Sequence, residues 1–299
     1  MKLTRVSLDA LRVGFETRFD QAFTQVPNLR DRVSELLTST SGESLYGWLG
    51  ELPGMREWIG PRVVHGLGEH DYRLRNRDFE LTVAVERNHI EDDTLDTYGK
   101  RFEVMGRSAA RWREDLVWDA LAAGFTAEGY DGQPFFDTDH PVLDAEGRVT
   151  TYANTDGGAG PAWYLMATTG LVKPIILQER KAPEFVYRDD QKDDNVFFNK
   201  QFIYGVDARG AAGYSFPQLA WGSRQPLTDA NYAKARTAIM NMKADYGRPL
   251  AIVPDLLVVP PTLESEARRV LKRETVDGGD TNVWKDTAEI LVVPYLAGA

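Results

Sequence analysis

The sequence predicts an α+β protein, and three patterns along the chain support this fold class. Apolar residues at alternating spacings of three and four predict one long helix over about residues 94–123. Alternating apolar and charged residues over 72–86 predict paired β-strands before this helix. From about residue 226 to the C-terminus, helical and strand patterns alternate, which is typical of a compact α/β unit whose strands are covered on both faces.

Composition excludes several classes of function. The chain has 299 residues, enough for a substantial core, and a formal net charge of -10, which opposes tight binding to a nucleic-acid backbone. It has no Cys, which rules out disulfides, thiolate metal sites and a Cys nucleophile. No apolar run approaches 18 residues and no signal peptide is recognisable, so we expect no membrane span. The unusual feature is the aromatic content, with 7 Trp, 12 Tyr and 13 Phe beside only 4 His.

The N-terminal region is predicted to be a helix followed by irregular chain. Apolar residues at three-to-four spacing over 8–23 predict an amphipathic helix, with Ser7 placed to cap it and Pro27 beyond its end. Residues 28–61 are rich in Gly and Pro, and we expect them to be extended and irregular.

A hairpin with one apolar face is predicted next. Short strands at about 72–74 and 79–85 flank a polar segment at 76–78 that reads as a turn. The candidate contact residues on its apolar face are Tyr72, Leu74, Phe79, Leu81 and Val83.

The helix over 94–123 would be about 45 Å long, well above the usual helix length. We interpret it as a spine on which a sheet packs, because Gly99 and Gly106 weaken the alternative of a coiled coil. Phe102 and Trp112 are expected to anchor the sheet. The apolar stripe is assigned to packing through Tyr98, Phe102, Met105, Trp112 and Leu116.

The remaining segments predict a loop and then the C-terminal elements. Residues 126–161 are predicted to be a long loop, and the charged run 189–194 a loop tip. Strands are predicted at 163–166, 174–177, 185–187 and 196–204, helices at 228–246 and 262–273, and buried strand segments within 250–259 and 288–296.

The chemical motifs are few. Imidazole and carboxylates cluster only at His140, beside Asp137 and Asp139, and the favoured interpretation is a His-Pro turn stabilised by hydrogen bonds. The alternative is a metal-dependent hydrolase that uses these three residues, although a metal site normally draws ligands from separated segments. No serine-hydrolase, P-loop or dinucleotide motif is present. We therefore assign no catalytic, metal or cofactor-binding residue and no cofactor.

The aromatic clusters leave a second alternative open, a carbohydrate-binding adhesin module. Because the clusters are scattered without a basic groove, we interpret them instead as core and interface anchors.

Several sequence blocks resemble a known family. They are YGWLGELPGMREWIGPR (46–62), FELTVAVERNHIEDD (79–93), FFDTDHP (135–141), KPIILQERKAPEF (173–185), FIYGVDARGAAGY (202–214), LAWGS (219–223), PLAIVPDLLVVPPTLE (249–264) and NVWKDTAEILVVPYL (282–296). Together they are similar to the major head subunit of Mu-like tailed phages, the gpT family. The resemblance runs in order from about residue 40 to the end.

This resemblance implies the Hong Kong 97-like capsid fold. The chain would then divide into an N-arm (1–61), an E-loop (62–91), a P-domain with the spine helix and its sheet (92–225) and an A-domain (226–299). In the family the E-loop reaches over an adjacent subunit, which would give the predicted apolar hairpin face a partner.

The implied function is structural rather than enzymatic. The subunit would self-assemble into pentamers and hexamers of an icosahedral phage head around double-stranded DNA. Its partners would be copies of itself, a scaffolding protein and the portal during assembly, and decoration proteins, with only weak non-specific contact to packaged DNA and no membrane. It would be located in the virion after assembly in the host cytoplasm.

Overall fold

The computed structural model describes residues 5–46, 72–92, 96–170, 172–276 and 279–298. The helices are α1 (Arg5–Thr24), α2 (Arg87–Glu91), α3 (Thr97–Ala123), α4 (Asp194–Asn199), α5 (Asp229–Met240) and α6 (Glu264–Lys272). The strands are β1 (Ser34–Thr38), β2 (Glu43–Leu45), β3 (Arg73–Arg75), β4 (Arg77–Glu86), β5 (His140–Leu143), β6 (Val149–Tyr152), β7 (Thr155–Gly158), β8 (Trp163–Met166), β9 (Ile175–Arg188), β10 (Gln201–Tyr214), β11 (Ala220–Arg224), β12 (Leu256–Val259) and β13 (Glu289–Val292).

The predicted spine helix is confirmed as α3, which has 27 residues and a length of about 40 Å. Asp96 precedes it in the left-handed region with φ 54°, and Gly124 follows its last residue. The expected stripe is buried at Tyr98, Phe102, Met105 and Leu116, whereas Trp112 is only half-buried.

A four-stranded sheet in the order β1-β9-β10-β4 packs on the N-terminal half of α3. Phe102 is the anchor, because its ring lies 5.1 Å from Tyr204 and 6.0 Å from Phe185, both on the sheet. On its other side Phe102 stacks at 4.2 Å on Phe15 of α1. The N-terminal helix is therefore held against the spine, and the ring of Phe102 lies between this helix and the sheet.

A second sheet in the order β13-β12-β8-β11-β7 packs on the C-terminal half of α3. Along β12, Leu256 and Val258 face the cluster around Trp118 of α3. Leu257 and Val259 face the opposite way, into the cluster formed with α5 and α6. The sheet is thus covered on both faces, as the apolar run predicted.

The predicted hairpin of residues 72–86 is wrong. Strand β3 pairs with β2, and β4 pairs with β10 along its whole length, with Leu81 opposite Val206. Asn76, read as part of a turn, is buried between the two strands, and its amide donates to Ser39 Oγ at 3.1 Å. It also accepts a 2.7 Å hydrogen bond from Gln178. Asn76 is therefore a buried, hydrogen-bonded residue and not part of an exposed turn.

The strands of residues 92–225 are divided between the two sheets. Strands β8 and β11 fall within 92–225, which was expected to form the P-domain, yet they pair in one sheet with β12 and β13 from 226–299. A boundary at residue 225 therefore cuts through this sheet. The N-terminal segment is more ordered than predicted, because β1 is a parallel edge strand on β9. Residues 47–71, which include the first part of the predicted E-loop, lie outside the described residues.

Smaller differences have local causes. The predicted strand 196–204 begins as helix α4 before β10 starts at Gln201, and the predicted helix 228–246 ends at Met240. The apolar run 250–259 is a strand only from Leu256, since Ala251 has φ 53° and Pro254 precedes the strand. The predicted loop 126–161 contains the β5–β6 pair and β7.

We predict that Gly106→Ala destabilises the protein although alanine is the better helix former by about 1 kcal/mol. A Cβ at Gly106 would lie 2.3 Å from the backbone oxygen of Phe19, so α1 would have to move away from α3. Gly14→Ala is the matched control inside α1, because nothing lies within 4 Å of its Cβ position. Urea denaturation midpoints should fall for the first variant and rise slightly for the second. Equal shifts would contradict the close helix contact.

Truncation of the two predicted anchors should have unequal effects. Phe102→Ala should cost about 3–5 kcal/mol, because the ring is fully enclosed by α1, α3 and the four-stranded sheet. Trp112→Ala should cost clearly less, since its ring is only half-buried. Guanidinium denaturation of both variants measures the difference. A larger loss of unfolding free energy for Trp112→Ala than for Phe102→Ala would contradict the prediction.

Candidate functional site

Two of the five predicted contact residues belong to the interior of the subunit. The hydroxyl of Tyr72 accepts a 2.9 Å hydrogen bond from the backbone N–H of Tyr214, and burial raises the pKa of Tyr72 to about 12. Leu74 is buried in a cluster with Tyr46 and Ile176. These two side chains therefore hold β3 against the end of the β9–β10 hairpin.

The other three residues lie along one face of β4, next to α3. The ring of Phe79 contacts that of Trp112 at 5.3 Å. Leu81 is 37% exposed and Val83 is half-buried, whereas Val85 near the end of the strand is buried, so the apolar face is least covered around Leu81. Because β4 is an edge strand of its sheet, this face adjoins a strand edge that has no pairing partner among the described residues.

An apolar groove runs between β4 and the exposed side of α3. One part, near Trp112, has a volume of about 230 Å³ and is lined by Phe79, Leu81 and Pro183. The adjoining part is lined by Leu81, Val83 and Val104. Val104 is 64% exposed and lies in the N-terminal half of α3, on the side of the helix that faces solvent. We call this surface the β4–α3 groove.

Two polar atoms in the groove are left without partners. Neither the indole N–H of Trp112 nor Oδ1 of Asp207 has a hydrogen-bond partner within the described part of the chain. Both residues line the part of the groove near Trp112. A buried donor or acceptor that remains unpaired is costly, so these two atoms lower the stability of this part of the subunit.

The only charged residues that line the wider part of the groove are cationic. Lys100 and Arg101 stand one helical turn before Val104 and Met105. The guanidinium of Arg101 lies 5.2 Å from the ring centroid of Tyr98. Neither cation has a carboxylate within ion-pair distance among the residues that the structure describes.

The hydrogen-bond partners of His140 are not the carboxylates that the hydrolase alternative requires. His140 is fully buried, and its Nδ1 lies 2.6 Å from Oδ2 of Asp131, a residue that the sequence reading did not single out. Its Nε2 lies 3.2 Å from Oδ1 of Asn154. Asp137 contributes only its backbone, whose N–H donates to Asn154 Oδ1 and whose carbonyl accepts from the N–H of Asn154. Neither its carboxylate nor that of Asp139 is hydrogen-bonded to the imidazole.

The orientation of Asn154 fixes the hydrogen atoms on the imidazole. Its Nδ2 donates to the carbonyl oxygens of Phe135 and Pro217, so Oδ1 must be the atom that faces His140. His140 Nε2 therefore carries a proton and donates it. The network ties the loop around residue 135 to the five-stranded sheet, and the described residues contain no group of three side chains suited to hold a metal ion.

Most aromatic clusters are core residues. Phe135, Trp163 and Tyr164 are fully buried, and Phe136 is 3% exposed. Trp48 and Trp58 lie outside the described residues. Phe197 and Phe198 are the exception, because each is 75% exposed on α4. The buried clusters offer no stacking platform for a sugar.

Comparison with solved structures defines the class of protein. The chain superimposes on a subunit of the procapsid of bacteriophage JBD30 with a TM-score of 0.85 and 40% identity, covering 98% of this chain and 100% of that one. For the JBD30 capsid decorated with minor capsid protein trimers the TM-score is 0.79 at 31% identity, over 99% and 100% of the two chains. The architecture is thus that of a phage major capsid subunit, and the predicted α+β, Hong Kong 97-like fold is confirmed.

Sequence comparison identifies the family. The model of the Mu-like prophage major head subunit gpT matches residues 8–296. The major capsid protein of Escherichia phage Mu is 36% identical over an alignment of 305 positions, which covers 99% of this chain and 100% of that protein. The chain belongs to the Mu-like gpT family of major head subunits, which is a structural family and not an enzyme family. This outcome favours the capsid interpretation over the hydrolase and adhesin alternatives.

The structure predicts a stabilising role for the His140 network. His140→Ala removes the imidazole that pairs with the buried carboxyl group of Asp131, whose side chain is 3% exposed, and should cost about 3–5 kcal/mol. His89→Ala is the control, because His89 is 63% exposed beside Glu86 and should change stability by less than about 1 kcal/mol. Thermal denaturation of both variants measures the difference. If the two variants have the same melting temperature, the buried pair of His140 and Asp131 does not stabilise the fold as predicted.

Proposed function

We propose that this subunit assembles with copies of itself into the pentamers and hexamers of a closed icosahedral head around double-stranded DNA, and that the β4–α3 groove is one of its inter-subunit contacts. The observation that carries the proposal is the exposed apolar groove beside an unpaired strand edge. Within this proposal, Phe79, Leu81 and Val83 contribute to contact between subunits, as the sequence suggested.

The groove has the properties of a protein-binding surface. Burial of Val104 and Leu81 against a partner would remove apolar area from water, at about 25 cal/mol for each Å². Each contact is modest, but a closed shell repeats it in every subunit, so small free energies per contact are sufficient.

The domain assignment follows the sheets in this proposal. The four-stranded sheet and α3 form the P-domain, and the five-stranded sheet with α5 and α6 forms the A-domain, in place of a boundary at residue 225. The predicted E-loop would then begin in residues 62–71 and continue into β3 and β4, which anchor its end in the P-domain.

The remaining partners follow from the family and the charge. We propose that a scaffolding protein and a portal take part in assembly in the host cytoplasm, and that minor capsid proteins decorate the shell as trimers do in the JBD30 capsid. The net charge of -10 opposes strong binding to packaged DNA, so contact with it in the virion is weak and non-specific.

Substitution of one exposed valine tests the groove. Val104→Glu places a charge at the centre of the apolar surface and should abolish shell formation, while the monomer stays folded because the side chain is 64% exposed. Val149→Glu is the matched control, since Val149 on β6 is 74% exposed away from the groove. Negative-stain microscopy and sedimentation, with and without the scaffolding protein of the same phage, give the readout.

Two outcomes would count against the proposal. Normal shells from Val104→Glu would remove the groove from the assembly contacts. Wild-type protein that stays monomeric or dimeric with the scaffolding protein present would contradict self-assembly itself.

A further inference from the structure

A pair of phenylalanines is exposed at the tip of the longest hairpin. Strands β9 and β10 have 14 residues each, and the short helix α4 closes the end of the hairpin. Phe197 and Phe198 of α4 are each 75% exposed, and their rings meet edge to face at 5.0 Å. The proposed function described above does not use this pair. Adjacent aromatic side chains with this exposure are typical of a contact surface.

The tip holds the pair in a fixed position. Val196 directly precedes Phe197 in α4. It is 5% exposed and packs into the core around Phe102. The amide of Asn195 donates to the carbonyl of Gln201 at 3.0 Å, and the N–H of Lys200 donates to the carbonyl of Val196 at 3.1 Å. A contact made by a fixed helix loses little conformational entropy on binding.

Charge on the tip follows a pattern. Asp194 precedes Phe198 by four residues within α4, so its carboxylate lies on the same side of the helix as that ring, and Asp193 is the extended residue just before the helix. Neither carboxylate has an ion-pair partner among the described residues. Asp189 differs, because it is buried beside Arg12. The exposed side of the tip therefore combines two unpaired acids with two aromatic rings.

The β4–α3 groove carries the complementary pattern. Lys100 precedes Val104 by four residues on α3, and Arg101 precedes Met105 in the same way. The groove thus presents two cations and, one turn later, an apolar floor completed by Leu81 and Val83. If α4 of a second molecule lies parallel to α3, its acids meet the cations while its rings meet the floor.

We infer that Phe197 and Phe198 of one copy dock into the β4–α3 groove of a second copy, with Asp193 and Asp194 opposite Lys100 and Arg101. The inference rests on the proposed self-assembly and names the occupant of the groove. Because the tip and the groove are different surfaces of one chain, the contact is heterologous, and repetition closes a ring when the rotation between copies permits it. Each copy then gives one tip and receives another.

Cysteine cross-linking tests which residues meet, because the chain has no Cys of its own. Particles assembled from a chain with Phe198→Cys and Val104→Cys should give a ladder of disulfide-linked chains on non-reducing gels, since the two Cα atoms would be within about 7 Å. Phe198→Cys with Val149→Cys is the matched control and should give no ladder. Absence of a ladder from the first pair overturns the inference. A third chain, with Trp48→Cys and Val104→Cys, tests the alternative occupant. If it is the only chain that gives a ladder, residues 47–71 occupy the groove and the inference is wrong.

Charge reversal gives an independent test. A chain with Lys100→Glu and Arg101→Glu should lose assembly, and addition of Asp193→Lys and Asp194→Lys should restore it. Failure of the fourfold variant to recover particles, with an unchanged denaturation midpoint, contradicts the pairing.

The two proposals fail in different ways. Phe197→Ser with Phe198→Ser should prevent normal particles without a change in monomer stability, because both rings are exposed. Normal shells from this variant, together with loss of shells from Val104→Glu, would overturn the docking inference and leave the proposed function in place. Normal shells from both variants would remove the groove itself from the assembly contacts.

Discussion

Both sheets depend on one helix for the surface on which they pack. The N-terminal half of α3 receives the four-stranded sheet through Phe102, and the C-terminal half receives the five-stranded sheet around Trp118. Between these halves the fully buried carboxylate of Glu114 accepts hydrogen bonds from the indole of Trp118 and from the backbone and guanidinium of Arg30. The charge is paired, so its burial is tolerated, and it fixes the chain before β1 to the helix. A substitution in α3 is therefore expected to affect the packing of both sheets.

The sequence revealed elements whose burial pattern is periodic, and it was less informative about which elements pair. The long helix α3 and the apolar run that contains β12 depend only on local patterns, and the sequence predicted a helix and a buried strand at these places. Alternation in β4 identified its apolar face but could not identify β10, more than 100 residues away, as its partner. Asn76 resembles a turn residue, and its real role depends on Gln178, which no local pattern reveals.

Sequence patterns identified only some of the residues of the candidate surface. Phe79, Leu81 and Val83 were recognised because they share one face of a strand, whereas Val104 interrupts the polar side of α3 as a single residue and gave no periodic signal. Phe197 and Phe198 follow a charged run and were read as the start of a strand, but the hydrogen bonds of Asn195 and Lys200 close a helix there. Asp131 and Asn154 reach His140 only through the folded loop. Their residue types, Asp and Asn, are common in any turn.

The length of the β9–β10 hairpin has a mechanical consequence. Fourteen residues in extended conformation span about 45 Å, and the end that carries α4 is anchored, because Phe185, Val196 and Tyr204 all pack in the core around Phe102. The tip therefore does not tilt by itself, since a tilt would pull these side chains away from Phe102. A subunit that enters rings of different curvature would carry the tip as part of one rigid body with α3.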